Sequence, residues 1–266
     1  MNKTLFFSAI YFLAFFSAGS GQEGWQLVWS DEFDQDGLPD PGKWTYEAGY
    51  IRNNEEQYYT EDRLENARIE DGFLIIEARK EPYNGFEFTS ASLTTRGTAE
   101  FTYGRVEVRA KLPAGRGTWP AIWMLGSNIS EVGWPACGEI DIMENVGYKK
   151  RRIHGHVHYQ ADDGVNRVMK GESIRVRRPW DRFYVYAIEW FEDRIDFFVG
   201  DRKYFTFEKG TDSTEAWPFD RPHYLLINLA VGGTWGGSRG INENIFPRQF
   251  IIDYVRVFER VTENKK

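Results

Sequence analysis

Three carboxylates fall within six positions of "CGEIDIMENVG" (residues 137–147): Glu139, Asp141 and Glu144. Acids grouped in this way suit general acid/base chemistry, in which one carboxyl stays protonated while another stays ionised. Glu139 and Asp141 are two apart and share one face of a strand, whereas Glu144, three further on, falls on the opposite face of a regular strand. One extra residue between Asp141 and Glu144, a β-bulge, shifts the alternation and turns all three acids to the same side. The outer two then stand an effective four residues apart, roughly 13 Å along the backbone. Bending of the strand and two long side chains can close that gap. Hydrolysis of a glycosidic bond uses carboxyls about 5–5.5 Å apart when configuration is retained and about 6.5–9.5 Å apart when it is inverted, and the spacing permits either. Three such acids titrate as a coupled set, with mutual repulsion raising the proton affinity of at least one. On spacing alone, an exposed polar strand face and a metal site are the alternatives.

Other residues of chemical interest surround this stretch. Trp119 and Trp123 are four apart and share a face in a strand or a helix. Core packing is the default for such a pair, and a binding surface is the alternative. Trp134 precedes Glu139 by five residues, and Trp235 sits in "GGTWGG", a Gly-rich loop with little core to bury it. "IHGHVHY" carries His154, His156 and His158 on one strand face. That could be a zinc or copper face, although three histidines on one strand fit tetrahedral coordination poorly without a bend. "KKRR" (149–152) reads as a solvated turn or, more sharply, as a basic lip for sulfated sugars. The single cysteine, Cys137, excludes an intramolecular disulfide; beside carboxylates and apolar neighbours it is read as packing rather than as a nucleophile.

The elements that must position these residues are strands. "RVEVRAKL" (105–112) alternates strictly, and "RIDFFVGDRKYFTF" (194–207) is a hairpin around Gly200–Asp201. "FYVYAIEW" (183–190), "HYLLINLAV" (223–231) and "FIIDYVRVF" (250–258) also read as strands, and no stretch is convincingly helical. Short strands separated by Gly, Pro, Asn and Asp clusters predict an all-β antiparallel sandwich.

The N-terminus, "MNKTLFFSAIYFLAFFSAGSGQEGW", has a basic start, a short apolar run and small residues near position 20. This is the layout of a secretory signal peptide, residues 1–20, and is too short for a spanning helix. Residues 21–266 are then one domain, secreted or periplasmic. A net charge of −7 argues against a nucleic-acid or anionic-membrane partner. Ten Trp and fourteen Tyr are more than a core requires, and flat rings stack on the apolar faces of pyranoses.

"GEIDIMENVG" resembles the catalytic strand of glycoside hydrolase family 16 in its bulged Glu-x-Asp-x-x-Glu form, with Met143 before the last acid. "LVWSDEFD" (27–34), "NNEEQYYT" (53–60), "FTSASLTTRG" (88–97), "YGRVEVRAKLP" (103–113), "GTWPAIWMLG" (117–126), "INLAVGGTWGG" (227–237) and "IDYVRVF" (252–258) are similar to family segments in the same order. Among its branches the chain is most similar to the laminarinases, endo-acting β-1,3-glucanases. The resemblance implies a β-jelly-roll of two antiparallel sheets with a substrate groove on the concave face. It also implies retaining double displacement, with Glu139 as nucleophile, Glu144 as acid/base and Asp141 assisting. It places Trp119, Trp123 and, less closely, Trp134 in the groove as sugar platforms, and Asn54 on a sugar hydroxyl. His158 is placed beside the acid/base, and the loop-borne Trp235 is a further binding candidate. No cofactor is implied for catalysis. A structural calcium is implied on the convex face, held by Asp253 through its side chain and by Glu32 and Gly72 through carbonyls. The expected partner is a polysaccharide, a β-glucan, and the expected state a monomer. Mixed-linkage glucan, an algal galactan, or a non-catalytic glucan-binding module are the alternatives.

Overall fold

A computed structural model describes residues 24–161, 163–210 and 217–261. The expected signal peptide lies outside the described residues. Two sheets are built almost wholly from antiparallel pairs. The larger runs Arg202–Glu208, Arg194–Val199, Tyr184–Trp190, Gly104–Lys111, Arg248–Arg260, Phe73–Tyr83, Phe86–Ser90, Gln57–Tyr59, with Trp25–Asp31 and Ala67–Glu70 paired alongside. The smaller runs Arg167–Arg175, Arg152–Gln160, Glu139–Glu144, Thr118–Gly126, His223–Val231, Ser92–Thr94, Thr45–Tyr46. The strictly alternating segment 105–112 and the hairpin around Gly200–Asp201 form as their patterns predict. One pair departs from the antiparallel rule, Gln57–Tyr59 running parallel to Phe86–Ser90. Among the described residues the strands are interrupted by one turn of α-helix, Ile129–Val132, which buries no residue, and by three short 3-10 turns.

The inner faces meet in one core. Val106, Val108 and Ala110 come from the larger sheet, and Ile122, Met124, Ile140, Leu225, Ile227 and Leu229 from the smaller. A second, separate apolar cluster lies on the other face of the smaller sheet: Ala121, Trp123, Leu125, Cys137, Tyr224 and Leu226. His223–Val231 is therefore covered on both sides, and all nine of its residues are buried. That double coverage explains why "HYLLINLAV" lacks the polar–apolar alternation of a one-sided strand.

Candidate active site

Glu139–Glu144 pairs with Arg152–Gln160 so that Glu139 faces His158, Asp141 faces His156 and Glu144 faces His154. Between Asp141 and Glu144 the register shifts. On the other flank Asp141 pairs with Trp123 and Met143 with Ile122, which leaves Ile142 as the extra residue of a β-bulge. Ile142 and Met143 both enter the inter-sheet core. Two successive inward side chains return Glu144 to the outer face, where Glu139 and Asp141 already stand. The apolar pair makes the bulge favourable, since burying each contributes about 1.5–3 kcal/mol.

Each outer acid is held by an indole. Trp134 Nε1 donates to Glu139 Oε2 at 2.8 Å. Trp119 Nε1 donates to Glu144 Oε1 at 3.0 Å, and His156 Nδ1 lies 2.9 Å from Glu144 Oε2. His158 Nε2 lies 3.2 Å from Asp141 Oδ2 and 3.6 Å from Glu139 Oε1. His158 thus serves the Glu139 end, and His156 sits against Glu144, because the histidine strand runs antiparallel to the acid strand.

Burial dominates the electrostatics. It pushes Glu139 up to about 8, assisted by the Asp141 charge and opposed by His158 and the Trp134 hydrogen bond. Asp141 is also raised well above its ordinary range, by burial first and then by Glu144. Burial disfavours the charged form of His156, but the Glu144 carboxylate, with Asp141 behind it, outweighs burial and lifts that histidine. His154, by contrast, is pushed down to about 4 by burial and by His156, and is neutral near pH 7. Cys137 is driven up to about 11 by burial and Glu139, which makes it an inert thiol; it lies in the turn before the acid strand.

Aromatic side chains flank the acids. Trp119 meets Trp235 edge-on at 5.7 Å, and Trp235 meets His154 edge-on at 4.9 Å. The loop that carries Trp235 requires glycine: a Cβ on Gly236 would lie 2.5 Å from the Gly232 carbonyl oxygen and 2.8 Å from Trp119 Cβ. Trp134 is 44% exposed, with the Arg167 guanidinium 5.2 Å from its ring centre. Trp123 is only 7% exposed: its N–H donates to Asn228 Oδ1 at 2.8 Å and Arg52 covers its ring at 4.8 Å. It is floor rather than open platform. Asn54 is exposed on a turn with positive φ at Asn53 and Asn54, and it accepts a hydrogen bond from Tyr50 at 3.3 Å. That turn is tied to the Trp235 loop through the Glu55–Gly232 bridge and the Thr234 N–H to Asn53 carbonyl bond.

Arg52 and Asn228 belong to the site although the sequence reading did not single them out, and His156, expected only as one of three histidines on a shared face, is the one against Glu144. Asn228 carried a usable signal, as a polar residue inside "INLAV". Arg52 reaches Trp123 through a fold-level contact that local spacing does not encode.

Glu32, Gly72 and Asp253 are brought near one another by the pairing of Ile252 with Leu74 and of Asp31 with Val255. Their charged oxygens are already matched. Asp253 is ion-paired with Arg109, and Arg256 grips Glu32 at 2.8 and 2.9 Å, which lowers that carboxyl. A calcium ion there would share its only committed carboxylate ligand with a guanidinium, so these residues as they stand do not fit it. The basic turn 149–152 is mostly exposed, with Lys150 over Trp180 at 4.4 Å.

Two face-packed sheets and a bulge-aligned acid triplet define a glycoside hydrolase of the β-jelly-roll type. Residues 53–256 match the model of glycosyl hydrolases family 16, and the chain belongs to that family. It is 53% identical over 246 residues to a β-glucanase of Rhodothermus marinus, covering 89% of this chain and 86% of the relative. The X-ray structure of the laminarinase from Rhodothermus marinus superposes with a TM-score of 0.85 at 51% identity, covering 90% of this chain and 98% of that one. A non-specific endo-β-1,3(4)-glucanase with an oligosaccharide at its active site superposes with a TM-score of 0.84 at 43% identity, covering 91% and 97%.

Proposed function

We propose that the chain is a secreted, retaining endo-glycosidase that cleaves β-1,3-glucan of the laminarin type. The observation that carries this reading is the bulge at Ile142, which puts Glu139, Asp141 and Glu144 on one face with an indole donor at each end.

The proton inventory fits double displacement. Glu139 and Asp141 are within hydrogen-bonding reach, and two buried carboxyls so close favour one shared proton over two charges. We assign that proton to Asp141, which is buried and also faces the Glu144 charge. With Asp141 neutral its repulsion of Glu139 vanishes, and Trp134 and His158 favour the Glu139 carboxylate. Glu139 then bonds to the anomeric carbon as the glycosidic C–O bond breaks, and the departing oxygen takes a proton from Glu144. In the second step Glu144 takes a proton from water, the water oxygen attacks the anomeric carbon, and Glu139 is released. His156, with Nδ1 2.9 Å from Glu144 Oε2, is placed to pass a proton to that carboxylate.

A mixed-linkage β-1,3-1,4-glucan is the second reading, favoured by the likeness to a relative described as acting on both linkages. Product release from laminarin, curdlan, lichenan, agarose and carrageenan separates them. Laminarin and curdlan should be cleaved fastest, with lichenan slower. Faster cleavage of lichenan would select the second reading, and hydrolysis of a galactan alone, or of nothing, would overturn both.

A further inference from the structure

Three of the chain's four histidines project from one strand beside the acids, and hydrolysis as described engages only one ring nitrogen of each of His156 and His158. Asp141, His156 and His158 each offer a ligand atom, and the three atoms lie within 4.8 Å of one another. Zinc bonds of about 2.0–2.2 Å in tetrahedral geometry separate ligand atoms by about 3.4 Å. The 3.2 Å between His158 Nε2 and Asp141 Oδ2 is already that spacing.

Two further observations point to a ligand. Asp141 is 4% exposed, and its Oδ2 has no hydrogen-bond partner although it is the atom turned toward the histidines. The outer support of a metal-bound imidazole is also present. At His156 such a ring gives its second nitrogen to a carboxylate, Nδ1 being engaged by Glu144 at 2.9 Å with Nε2 left for the ion, whereas the buried Nδ1 of His158 has no partner. The bend that three histidines on one strand would lack is avoided, since the third ligand comes from the neighbouring strand, where Asp141 directly faces His156. Gly171, facing His156 from the next strand, keeps that ring in place: a Cβ there would lie 2.1 Å from the imidazole.

We propose that Asp141, His156 and His158 bind a borderline transition-metal ion of the zinc class, leaving one coordination position for water, and that the ion shuts the enzyme off reversibly. Two imidazoles and one carboxylate suit Zn²⁺ rather than Ca²⁺ or Mg²⁺, and the ion displaces the protons that Asp141 and His156 otherwise hold. With His158 Nε2 3.6 Å from Glu139 Oε1, an ion on that nitrogen attracts the Glu139 carboxylate and so makes it a weaker nucleophile. It also takes the carboxyl that assists Glu139. The ion would sit on the face where the acids meet glucan, so the two should compete; that competition rests on the function proposed above, and binding of the ion does not.

The test is calorimetric titration of Zn²⁺ into the chelator-treated full chain, with Co²⁺ absorption as an independent readout. One ion per chain should bind. His156→Gln and His158→Gln should each weaken binding at least about tenfold, because even loss of an outer-shell partner costs that much. His154→Gln, outside the ligand set, should change it less than about threefold. Thermal melts of each variant without metal establish that it is folded, and a laminarin oligosaccharide should weaken Zn²⁺ binding to the wild-type chain. Absence of binding, or binding that survives both His156→Gln and His158→Gln in folded protein, overturns the site. Metal binding that ignores the oligosaccharide overturns the competition and leaves the proposed substrate to the product assay.

Discussion

His156 Nδ1 and Glu144 Oε2 stand 2.9 Å apart on neighbouring strands, so the acid/base and its histidine form one proton-holding unit. A single proton placed on either member gives two tautomers of the same pair, and only the tautomer with Glu144 protonated can feed the departing oxygen.

His156 retains its proton to higher pH than a free histidine would, because the Glu144 carboxylate, with Asp141 behind it, outweighs burial. His156→Gln removes that reserve. The alkaline limb of kcat/KM should move to lower pH, and kcat at pH 7 should fall by about 10- to 100-fold, less than the roughly 100- to 10,000-fold of a complete general acid because Glu144 itself remains. An unchanged alkaline limb with a uniformly lower rate would reduce His156 to a packing role.

Trp134 gives its indole N–H to Glu139 and so favours the ionised nucleophile. Trp134→Phe keeps a ring and deletes the donor. Without it Glu139 holds its proton more tightly, so the acid limb of the rate profile should shift to higher pH. A hydrogen bond to a charged acceptor contributes about 1.5–3 kcal/mol, which corresponds to a loss of about 10- to 100-fold in kcat/KM. A rise in KM alone, with kcat and the acid limb unmoved, would leave Trp134 only a surface for stacking.

Glu139 is a cost to the fold as well as its nucleophile. Its folded value is raised from 4.5 to about 8, so folding favours the neutral form. The penalty is absent below pH 4.5, grows as pH rises through that value, and levels off above about 8. Glu139→Gln should therefore melt at about the wild-type temperature at pH 4 and several degrees higher at pH 8.5, a gain on the order of 1–4 kcal/mol. Differential scanning calorimetry at the two pH values reads it directly; a gain that is equal at both would mean the carboxylate is not destabilising.

Legibility of the sequence varied with the range of the interaction. The strictly alternating stretch 105–112 and the hairpin at Gly200–Asp201 follow from side-chain period and turn chemistry, which are local. The bulge was legible for a rarer reason: three acids in a Glu-x-Asp-x-x-Glu spacing carry register information that an apolar strand would not. The pairing of His156, rather than His158, with Glu144 depends on how the turn after the acid strand sets the register of the next one, and spacing within a strand is silent on that. Trp123 shows the same limit. Its position on the outer face was readable, but not its cover by Arg52, which arrives from 71 positions earlier in the chain.

The division of labour between the two outer acids is tested most directly by azide rescue. Glu139→Ala should be inactive on laminarin, retain glucan binding, and in azide form a glycosyl azide of inverted configuration, because the small anion replaces the missing nucleophile. Glu144→Ala in azide should give the retained product, since Glu139 still forms the first covalent intermediate. The opposite stereochemistry in the two variants would contradict the assignment of Glu139 as nucleophile and Glu144 as acid/base.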